Sequence, residues 1–501
     1  MDYHYDACAY RSCKFENSIM SNITSPAQPQ PNDFQENYLI VGLGRSGLSS
    51  AKYLAKYETT FGKTINISSY DKFKNINEQK KILKGLNVKN FYTGDIQAEY
   101  CTKGSYIVLS PGIDFNEIEE ITQGNKVVND IFLFLKYIEK KHNATRNLKI
   151  IGVTGTNGKT TTCSFLEHLY NKLGINVKLA GNIGLSPLDL IDELNNVEII
   201  ILEISSFQLM PFIEKALPVK LDVGIFLNLT PDHLDVHKDM AEYTQAKLTL
   251  LSSSKRTILN RNLDQSIISK FNDISFGESL KGDIKNQHNA QALKKYRQHF
   301  QYDRQYIFDD QGFKVSVEEL KIPGQHNILN IMAGIAAFTA LGGSTAQLAS
   351  ILSEFKGIPH RMEWVTKIHD VEYFNDSKAT NIASTLAALA CFNQKKNIIL
   401  IAGGDSKNQS LLLLSESMKK FVSHLLLIGK DAELFVESFK DLDSVEIVRC
   451  HAMEDAVNKA YLYAKKNDVI LLSPACASFD MYKNYAERGN HFKALVGRLI
   501  P

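Results

Sequence analysis

The apolar positions of this chain fall into short continuous runs, each followed by a polar or glycine-rich turn and then by a helical stripe. "YLIVGLGRSGLSSAKYLAKY" opens the series: Leu39 to Val41 read as a strand, Gly42, Gly44 and Gly47 as a turn, and Leu48, Ala51 and Leu54 as one face of a helix. "TINISSYDKF" reads as a second strand with Asp71 near its end, and "SYIVLSPGI" as another, closed by a tight Ser110-Pro111-Gly112 turn. From Asp130 the pattern restarts. "LKIIGVTGTNGKTTTCSFLEHLYNKLG" is strand, loop and helix, with Gly174 as the helix stop. "VEIIILEISSFQL" and "VGIFLNLTPDHLD" are apolar enough for strands buried on both faces of a parallel sheet. "PGQHNILNIMAGIAAFTALG" carries the pattern of an amphipathic helix, whereas the Lys-, Gln- and Asn-rich stretch from about 252 to 320 gives no functional reading. Gly357-Ile358-Pro359 reads as a linker, and beyond it "NIILIAGGDSK", "HLLLIGK" and "DVILLSPACASFD" are buried strands alternating with helices.

This alternation predicts an α/β protein of three domains. The expected units are an N-terminal Rossmann-like domain over 37–129, a central P-loop-type ATPase with a mostly parallel sheet over 130–357, and a C-terminal Rossmann-like domain with an open parallel sheet over 358–501. A length of 501 residues agrees, being too great for one core. Residues 1–36, with the proline-rich "SNITSPAQPQPND", read as a disordered extension in which Met20 is an alternative start and Cys8 and Cys13 are too few for a metal site. A formal net charge of +2 argues against a general nucleic-acid or membrane surface. No apolar run reaches the roughly 18 residues of a membrane span, and no apolar signal segment precedes the extension. Seven cysteines without a CxxC pair point to a reducing compartment rather than a disulfide framework.

The chemistry concentrates in "IGVTGTNGKTTTCSF". It ends as a phosphate-binding loop does, in Gly158-Lys159-Thr160, but Val153 stands where the standard spacing puts a glycine. Glycines at 152, 155 and 158 allow close backbone approach, and the helix start offers free N–H groups. Lys159 suits β- and γ-phosphates, and the Thr160 hydroxyl suits Mg²⁺. The bland reading is a glycine-rich turn with no ligand. Glu203 shifts the balance, because it ends a buried strand at the edge where parallel sheets bind ligands and can hold Mg²⁺. His233 leaves the next strand at the same edge; it is either a further metal or substrate ligand or a solvated histidine. Lys247 alone reads as a helix-surface lysine. Gly42, Gly44 and Gly47 also fit a dinucleotide fingerprint with Asp71 as the ribose acid, but a lone match is weak.

Several stretches together resemble the Mur ligases of peptidoglycan synthesis. "GVTGTNGKTTT" looks like that family's ATP loop, which has no extra upstream glycine. "LEISSFQL", "FNDSKATN" and "LLSPACASFDMYKNYAERGNHF" are similar to its D-glutamate-adding branch, and the resemblance spans about residues 37 to 499. It implies that Gly155, Thr156, Asn157, Gly158, Lys159, Thr160 and Thr161 hold ATP, with Asn330 near the base and Arg361 and Asp376 reaching in from the third domain. Arg45, Ser46, Ser110 and Asn182 would bind the UDP substrate. Lys378, Thr380, Lys407, Ser478 and Tyr485 would surround D-glutamate, whose two carboxylates suit two cations. Thr160, Glu203, His233 and Lys247 would serve two Mg²⁺ ions, with Lys247 carbamylated. Two features depart from the family pattern: Tyr485 replaces a phenylalanine, and "AGGDSKNQS" alters the Gly-Gly-x-Asp-Lys spacing around Asp405 and Lys407. Thr380 also reads as a helix cap and Tyr485 as a packing residue.

The implied reaction joins the L-alanine carboxylate of UDP-N-acetylmuramoyl-L-alanine to the amine of D-glutamate through an acyl phosphate. The protein would work as a monomer in the bacterial cytoplasm. The alternatives are a relative adding L-alanine or a diamino acid, and a nicotinamide-binding oxidoreductase or sensor built on Gly42 to Gly47.

Overall fold

Three sheets succeed one another along the chain in the computed structural model. It describes residues 35–499 apart from 59–63, 74–75, 87, 114, 142–146, 214–215, 235, 272, 280–296, 393–396 and 408. Met20, Cys8 and Cys13 therefore lie outside the described residues, as do residues 1–34 of the expected extension. The last two residues of that extension belong to the first strand, which begins at Gln35.

The first sheet contains β1 (Gln35–Val41), β2 (Thr64–Asp71), β3 (Asn90–Thr93), β4 (Tyr106–Leu109) and β5 (Lys126–Val128), all parallel, in the order β3-β2-β1-β4-β5. The second contains β6 (Lys149–Thr154), β7 (Val177–Gly181), β8 (Ile199–Glu203), β9 (Leu221–Phe226) and β10 (Ser254–Asn260), followed by β11 (Ile274–Glu278), β12 (Gln298–Tyr302), β13 (Tyr306–Asp309) and β14 (Lys314–Ser316). Its order is β14-β13-β12-β11-β10-β9-β6-β8-β7, parallel except where β12, β13 and β14 pair antiparallel. The stretch from 252 to 320 thus extends this sheet to one edge. The third contains β15 (Glu363–Ile368), β16 (Val371–Asn375), β17 (Ile398–Gly403), β18 (Val422–Ile428), β19 (Glu446–Arg449) and β20 (Val469–Leu472), in the order β15-β16-β20-β17-β18-β19.

The third sheet is not wholly parallel, as the sequence suggested. β15 runs antiparallel to β16, joined through His369 and Asp370 at φ +48° and +62°. Two central residues at positive φ make the turn whose twist matches a hairpin. β17 shows why this sheet holds together: Leu400 and Ala402 enter one apolar core, while Ile399 and Ile401 enter the core on the other face.

Between the first two sheets the apolar core is continuous. Tyr38 and Ile40 of β1 share it with Phe134 and Ile138 of the helix Asp130–Lys140, with Leu190, and with Leu202 of β8. Asn129 caps that helix by accepting from Phe132 N and donates to Gln208 O at 2.7 Å, so a polar bond also crosses. The helix Gln325–Ala340 is not amphipathic as expected, since every residue from Asn330 to Phe338 is buried. It lies against the helix Lys159–Lys172 so closely that a Cβ on Gly334 would stand 2.5 Å from Phe165. Gly174 does stop the latter helix, at φ +73°. Among the described residues no helix is long and apolar enough to cross a membrane.

Gly152 shows how tightly the middle sheet is packed. The sequence places it among the loop glycines, but it sits inside β6, where a Cβ would lie 2.6 Å from Leu221 and 2.7 Å from Leu250. Gly152→Val is expected to cost about 1–3 kcal/mol through overpacking. It would be read as a lower midpoint of urea unfolding; an unchanged midpoint would mean that Leu221 and Leu250 can withdraw.

Candidate active site

The loop between β6 and the helix Lys159–Lys172 is shaped for an anion. Gly158 caps the helix at φ +85° and supplies no side-chain bond, so the first N–H groups stay free at the positive end of the helix dipole. A Cβ there would fall 2.1 Å from Asn330 Oδ1, which fixes both the need for glycine and the place of Asn330 against the loop. Asn228, which follows β9, secures the loop from beneath. It accepts from Thr156 N at 3.0 Å through its carbonyl and from Asn157 N at 2.8 Å through its side chain. The Thr156 hydroxyl lies 3.0 Å from that of Tyr243.

Two lysines converge on this loop. Lys159 Nζ donates to Gly155 O at 2.8 Å and to Thr156 O at 2.9 Å. Lys247 Nζ donates to the same Gly155 O at 2.9 Å and lies over the Tyr243 ring. Lys247 is not the surface lysine that its helical position suggested; it is 1% exposed. Burial, and then the charge of Lys159, push its pKa down to about 7. Burial also lowers the pKa of Lys159, while Glu203 and Asp232 oppose the shift. Asp232 acts on both lysines and was not singled out in the sequence.

Glu203 closes β8 and is 1% exposed. Its two oxygens are shared out: Thr160 Oγ1 donates to one at 2.9 Å and Asn182 Nδ2 to the other at 3.0 Å. Among the described residues no three His, Cys, Asp or Glu side chains group as a metal site. One carboxylate and one hydroxyl nevertheless fit Mg²⁺, which binds through one or two protein ligands and leaves the rest to phosphate and water. His233, at φ +55°, does not touch Glu203; it lies beside Asp232 and packs on Phe207.

A cleft of about 830 Å³ opens in front of the loop. Asn157, Gly158, Thr161 and Asn330 line one wall; Arg361, Asp376 and Lys378 line the other, with Gly357 and Ile358 between. The expected linker is therefore part of the cleft. Asp376 accepts from Ser473 Oγ at 2.8 Å and from Met362 N at 3.1 Å, and burial pushes its carboxyl up to about 7. Lys378 is near enough to Glu203 to feel its charge, although burial and Arg361 lower its pKa.

The remaining residues expected around an amino acid gather at the switch point of the third sheet, where β17 and β20 lie side by side. Asp405 and Ala477 pair across the two loops, which carry Lys407 and Ser478. Lys407, at φ +50°, donates its N–H to Asp405 and sits 6.0 Å from the Phe479 ring. Tyr485 faces Lys378, its ring 5.7 Å from the ammonium. Thr380 does not cap the following helix; Asn381 does, accepting from Ser384 N. Arg488, only 1% exposed, joins the two halves. It donates to Ser377 Oγ and O at 3.0 and 2.9 Å and to Cys476 O at 3.1 Å. An arginine inside an otherwise apolar helix face was the only trace of it in the sequence.

In the first sheet, Gly42 and Ser110 meet at the switch point between β1 and β4, where Ser110 Oγ donates to Gly42 O at 2.8 Å. A Cβ on Gly47 would lie 2.0 Å from Gly42 O, whereas one on Gly44 would meet nothing within 4 Å. Gly44 therefore starts the helix Arg45–Tyr53 at an open surface with no side-chain cap, and Ser46 follows. Asp71 does not offer itself to a ribose; its oxygens accept from Leu43 N at 2.7 Å and Phe73 N at 2.9 Å.

The chain matches three family models: Mur ligase MurD-like, N-terminal domain, over 36–129; Mur ligase middle domain over 153–338; and Mur ligase, glutamate ligase domain, over 360–476. A protein of Saccharophagus degradans named UDP-N-acetylmuramoylalanine--D-glutamate ligase is 35% identical over 468 residues, 92% of this chain and 97% of that protein. One of the same name from Caldicellulosiruptor bescii is 32% identical over 477 residues, 93% of this chain and 98% of its own. The chain belongs to the Mur ligase family.

Proposed function

We propose that this chain is the ATP-dependent ligase that joins D-glutamate to the L-alanine carboxylate of UDP-N-acetylmuramoyl-L-alanine, in the bacterial cytoplasm and as a monomer. The observation that supports this most is the cleft, where the uncapped Gly158 helix start faces Arg361, Asp376 and Lys378. In this reading Lys159 and the loop N–H groups hold the β- and γ-phosphates, Asn330 lies beside the base, and Arg361 and Asp376 meet the nucleotide from the other wall. Arg45, Ser46 and Ser110 bind the uridine diphosphate, and Asn182 holds the substrate's peptide end beside Glu203. Lys378 and Lys407 take the two carboxylates of D-glutamate, with Thr380, Ser478 and Tyr485 around them.

A carboxylate is a poor electrophile. Its oxygen attacks the γ-phosphorus, ADP leaves, and the acyl phosphate is then open to the amine of D-glutamate. The amine adds, loses a proton, and phosphate departs. Thr160 would hold Mg²⁺ beside the ATP phosphates, and Glu203 and His233, with Lys247 once carbamylated, would hold a second ion; bound there, Mg²⁺ would neutralise charge on phosphoryl oxygens. The third sheet's loops, closing over the cleft, exclude the water that would hydrolyse the acyl phosphate.

Phosphate release with ATP, Mg²⁺ and UDP-N-acetylmuramoyl-L-alanine, tested with D-glutamate, L-alanine and diamino acids in turn, is expected to respond to D-glutamate alone, with product mass rising accordingly. Turnover with L-alanine instead, with UDP-N-acetylmuramate as acceptor, would assign a different member of the family. Tight NAD binding without ligation would favour the oxidoreductase reading. Lys159→Ala is expected to abolish product while circular dichroism stays unchanged; a variant that still ligates would remove the loop from the mechanism.

Lys247 gives a pH-dependent test. Its pKa of about 7 makes the amine increasingly neutral as pH rises through 7. A neutral amine adds to CO₂ to give a carbamate and one proton, turning a cation into an anion. Ligation is expected to fall below pH 7 and to recover with added bicarbonate. A ¹³C carbamate resonance from labelled bicarbonate should be absent in Lys247→Arg, which stays protonated. A resonance that persists in that variant would assign the carbamate elsewhere. Between about pH 7 and 10 the unfolded chain holds more protons at this lysine than the folded one, so its contribution makes stability rise with pH there.

A further inference from the structure

In the proposed function the crevice of the third sheet admits an amino acid with two carboxylates, yet three aspartates stand on its loops. Asp405 follows β17, Asp431 follows β18, and Asp480 lies on the loop after β20. These loops are tied to one another. Asp405 and Ala477 exchange backbone hydrogen bonds at 3.0 and 2.9 Å, and Asp431 N donates to Gly404 O at 3.3 Å. Asp431 accepts from Ser406 N and Oγ, each at 2.7 Å, and Asp480 accepts from Lys430 N at 3.0 Å. A Cβ on Gly429 would stand 2.7 Å from Gly404 Cα, so these two backbones are in contact. Asp405 is therefore held beside the crevice by its own backbone, whatever charge surrounds its side chain.

Lys407 N donates to Asp405 Oδ1 at 3.0 Å, which brings this carboxylate within reach of the Lys407 side chain. The two opposite charges nevertheless stay apart. Lys407 Nζ lies 6.0 Å from the Phe479 ring and, among the described residues, forms no ion pair. Lys430 takes Asp405 instead, Nζ to Oδ2 at 3.1 Å. Both oxygens of Asp405 are thus engaged, one by the backbone of Lys407 and the other by the ammonium of Lys430. The Lys430 side chain is 54% exposed, so the pair neither fills a core nor satisfies a buried charge. Such a pair adds little to stability. What it changes is the charge that Lys407 meets.

We infer that Lys430 is a positioning residue for the amino-acid substrate: by holding Asp405 it leaves the Lys407 ammonium free for a substrate carboxylate. This rests on the function proposed above, in which Lys407 takes one carboxylate of D-glutamate. Without Lys430, the second oxygen of Asp405 is open to Lys407. The substrate must then displace an anion tethered two residues away, whose local concentration no free amino acid can match. Lys430 also offsets one of the three negative charges that a dicarboxylate meets on entering.

The test is steady-state ligation by the full chain, with D-glutamate varied at saturating ATP, Mg²⁺ and UDP-N-acetylmuramoyl-L-alanine. Lys430→Met is expected to raise KM for D-glutamate about three-fold or more, while kcat and the KM values of the other two substrates stay within about two-fold. Lys430→Arg, which keeps the charge, should remain within about two-fold of the unmodified protein throughout. Asp405→Asn can still accept from Lys407 N but offers no charge. Added to Lys430→Met, it should bring KM for D-glutamate back to within about two-fold of the original. An unchanged KM in Lys430→Met would overturn the inference. So would a raised KM that Asp405→Asn fails to restore, because Lys430 would then act otherwise than through Asp405. Equal losses for all three substrates would make the pair merely structural and overturn it as well. An unmodified protein that does not ligate D-glutamate would instead overturn the functional reading, and the inference with it.

Discussion

Two lysine side chains ending on one backbone oxygen, that of Gly155, set the terms for the rest of the site. Both are largely withdrawn from water, and the charge of Lys159 adds to burial in lowering the hold of Lys247 on its proton. The carbonyl can satisfy part of the hydrogen bonding of two ammonium groups, but it cannot neutralise them. In the proposed function a polyphosphate would relieve this arrangement, because it would offer Lys159 a better partner than its own loop and let the carbonyl serve Lys247 alone. The loop's shape thus depends on a cation that bonds to its own carbonyls. Tyr243 and Asn228 also hold the loop, through the Thr156 hydroxyl and the Asn157 N–H.

The three sheets serve this centre in the same physical way. In each, the strand order reverses beside a central strand, and the loops leaving the carboxyl ends at that point diverge enough to leave a crevice. In the first sheet these are the loops of Gly42 and Ser110; in the second, those of Gly155 and Asn228; in the third, those of Asp405 and Ala477. The first two sheets are bound by a common apolar core, whereas the third has cores of its own on each face. A chain built this way can let its third part move without unfolding the first two.

Much of this was legible in the sequence for physical reasons. Strands buried on both faces are apolar without interruption, so β6, β8, β17 and β20 stood out, and the carboxylate ending β8 marked a sheet edge. The Gly158-Lys159-Thr160 tail announced a helix start without a side-chain cap. What stayed hidden depended on packing between distant segments. Nothing local in "YTQAKLTLL" says that Lys247 is buried, because the Tyr243 ring and the Gly155 loop bury it. Gly152 reads as part of the phosphate loop because nothing nearby in the chain reveals Leu221 and Leu250 closing over it. Arg488 carries little signal, since it acts on backbone and serine groups far along the chain. The helix Gln325–Ala340 showed polar positions that suggested a wet face, yet two of them, Asn327 and Asn330, turn toward the cleft.

The placement of short strands at the margins of the sheets has a consequence for the chain during synthesis. A sheet edge presents unpaired N–H and C=O groups that can recruit a strand from another molecule. Here four of the six edge strands are poor templates for that. β5 and β14 have only three residues each, and both begin with a lysine. β19 has four residues, with Glu446 at one end and Arg449 at the other. β15 shifts register between Trp364 and Thr366, which bends the strand away from a flat partner. A protein of long parallel sheets gathers its strands from far apart in sequence and so exposes them while folding. Margins that resist foreign pairing let it reach its own order before neighbouring chains intervene.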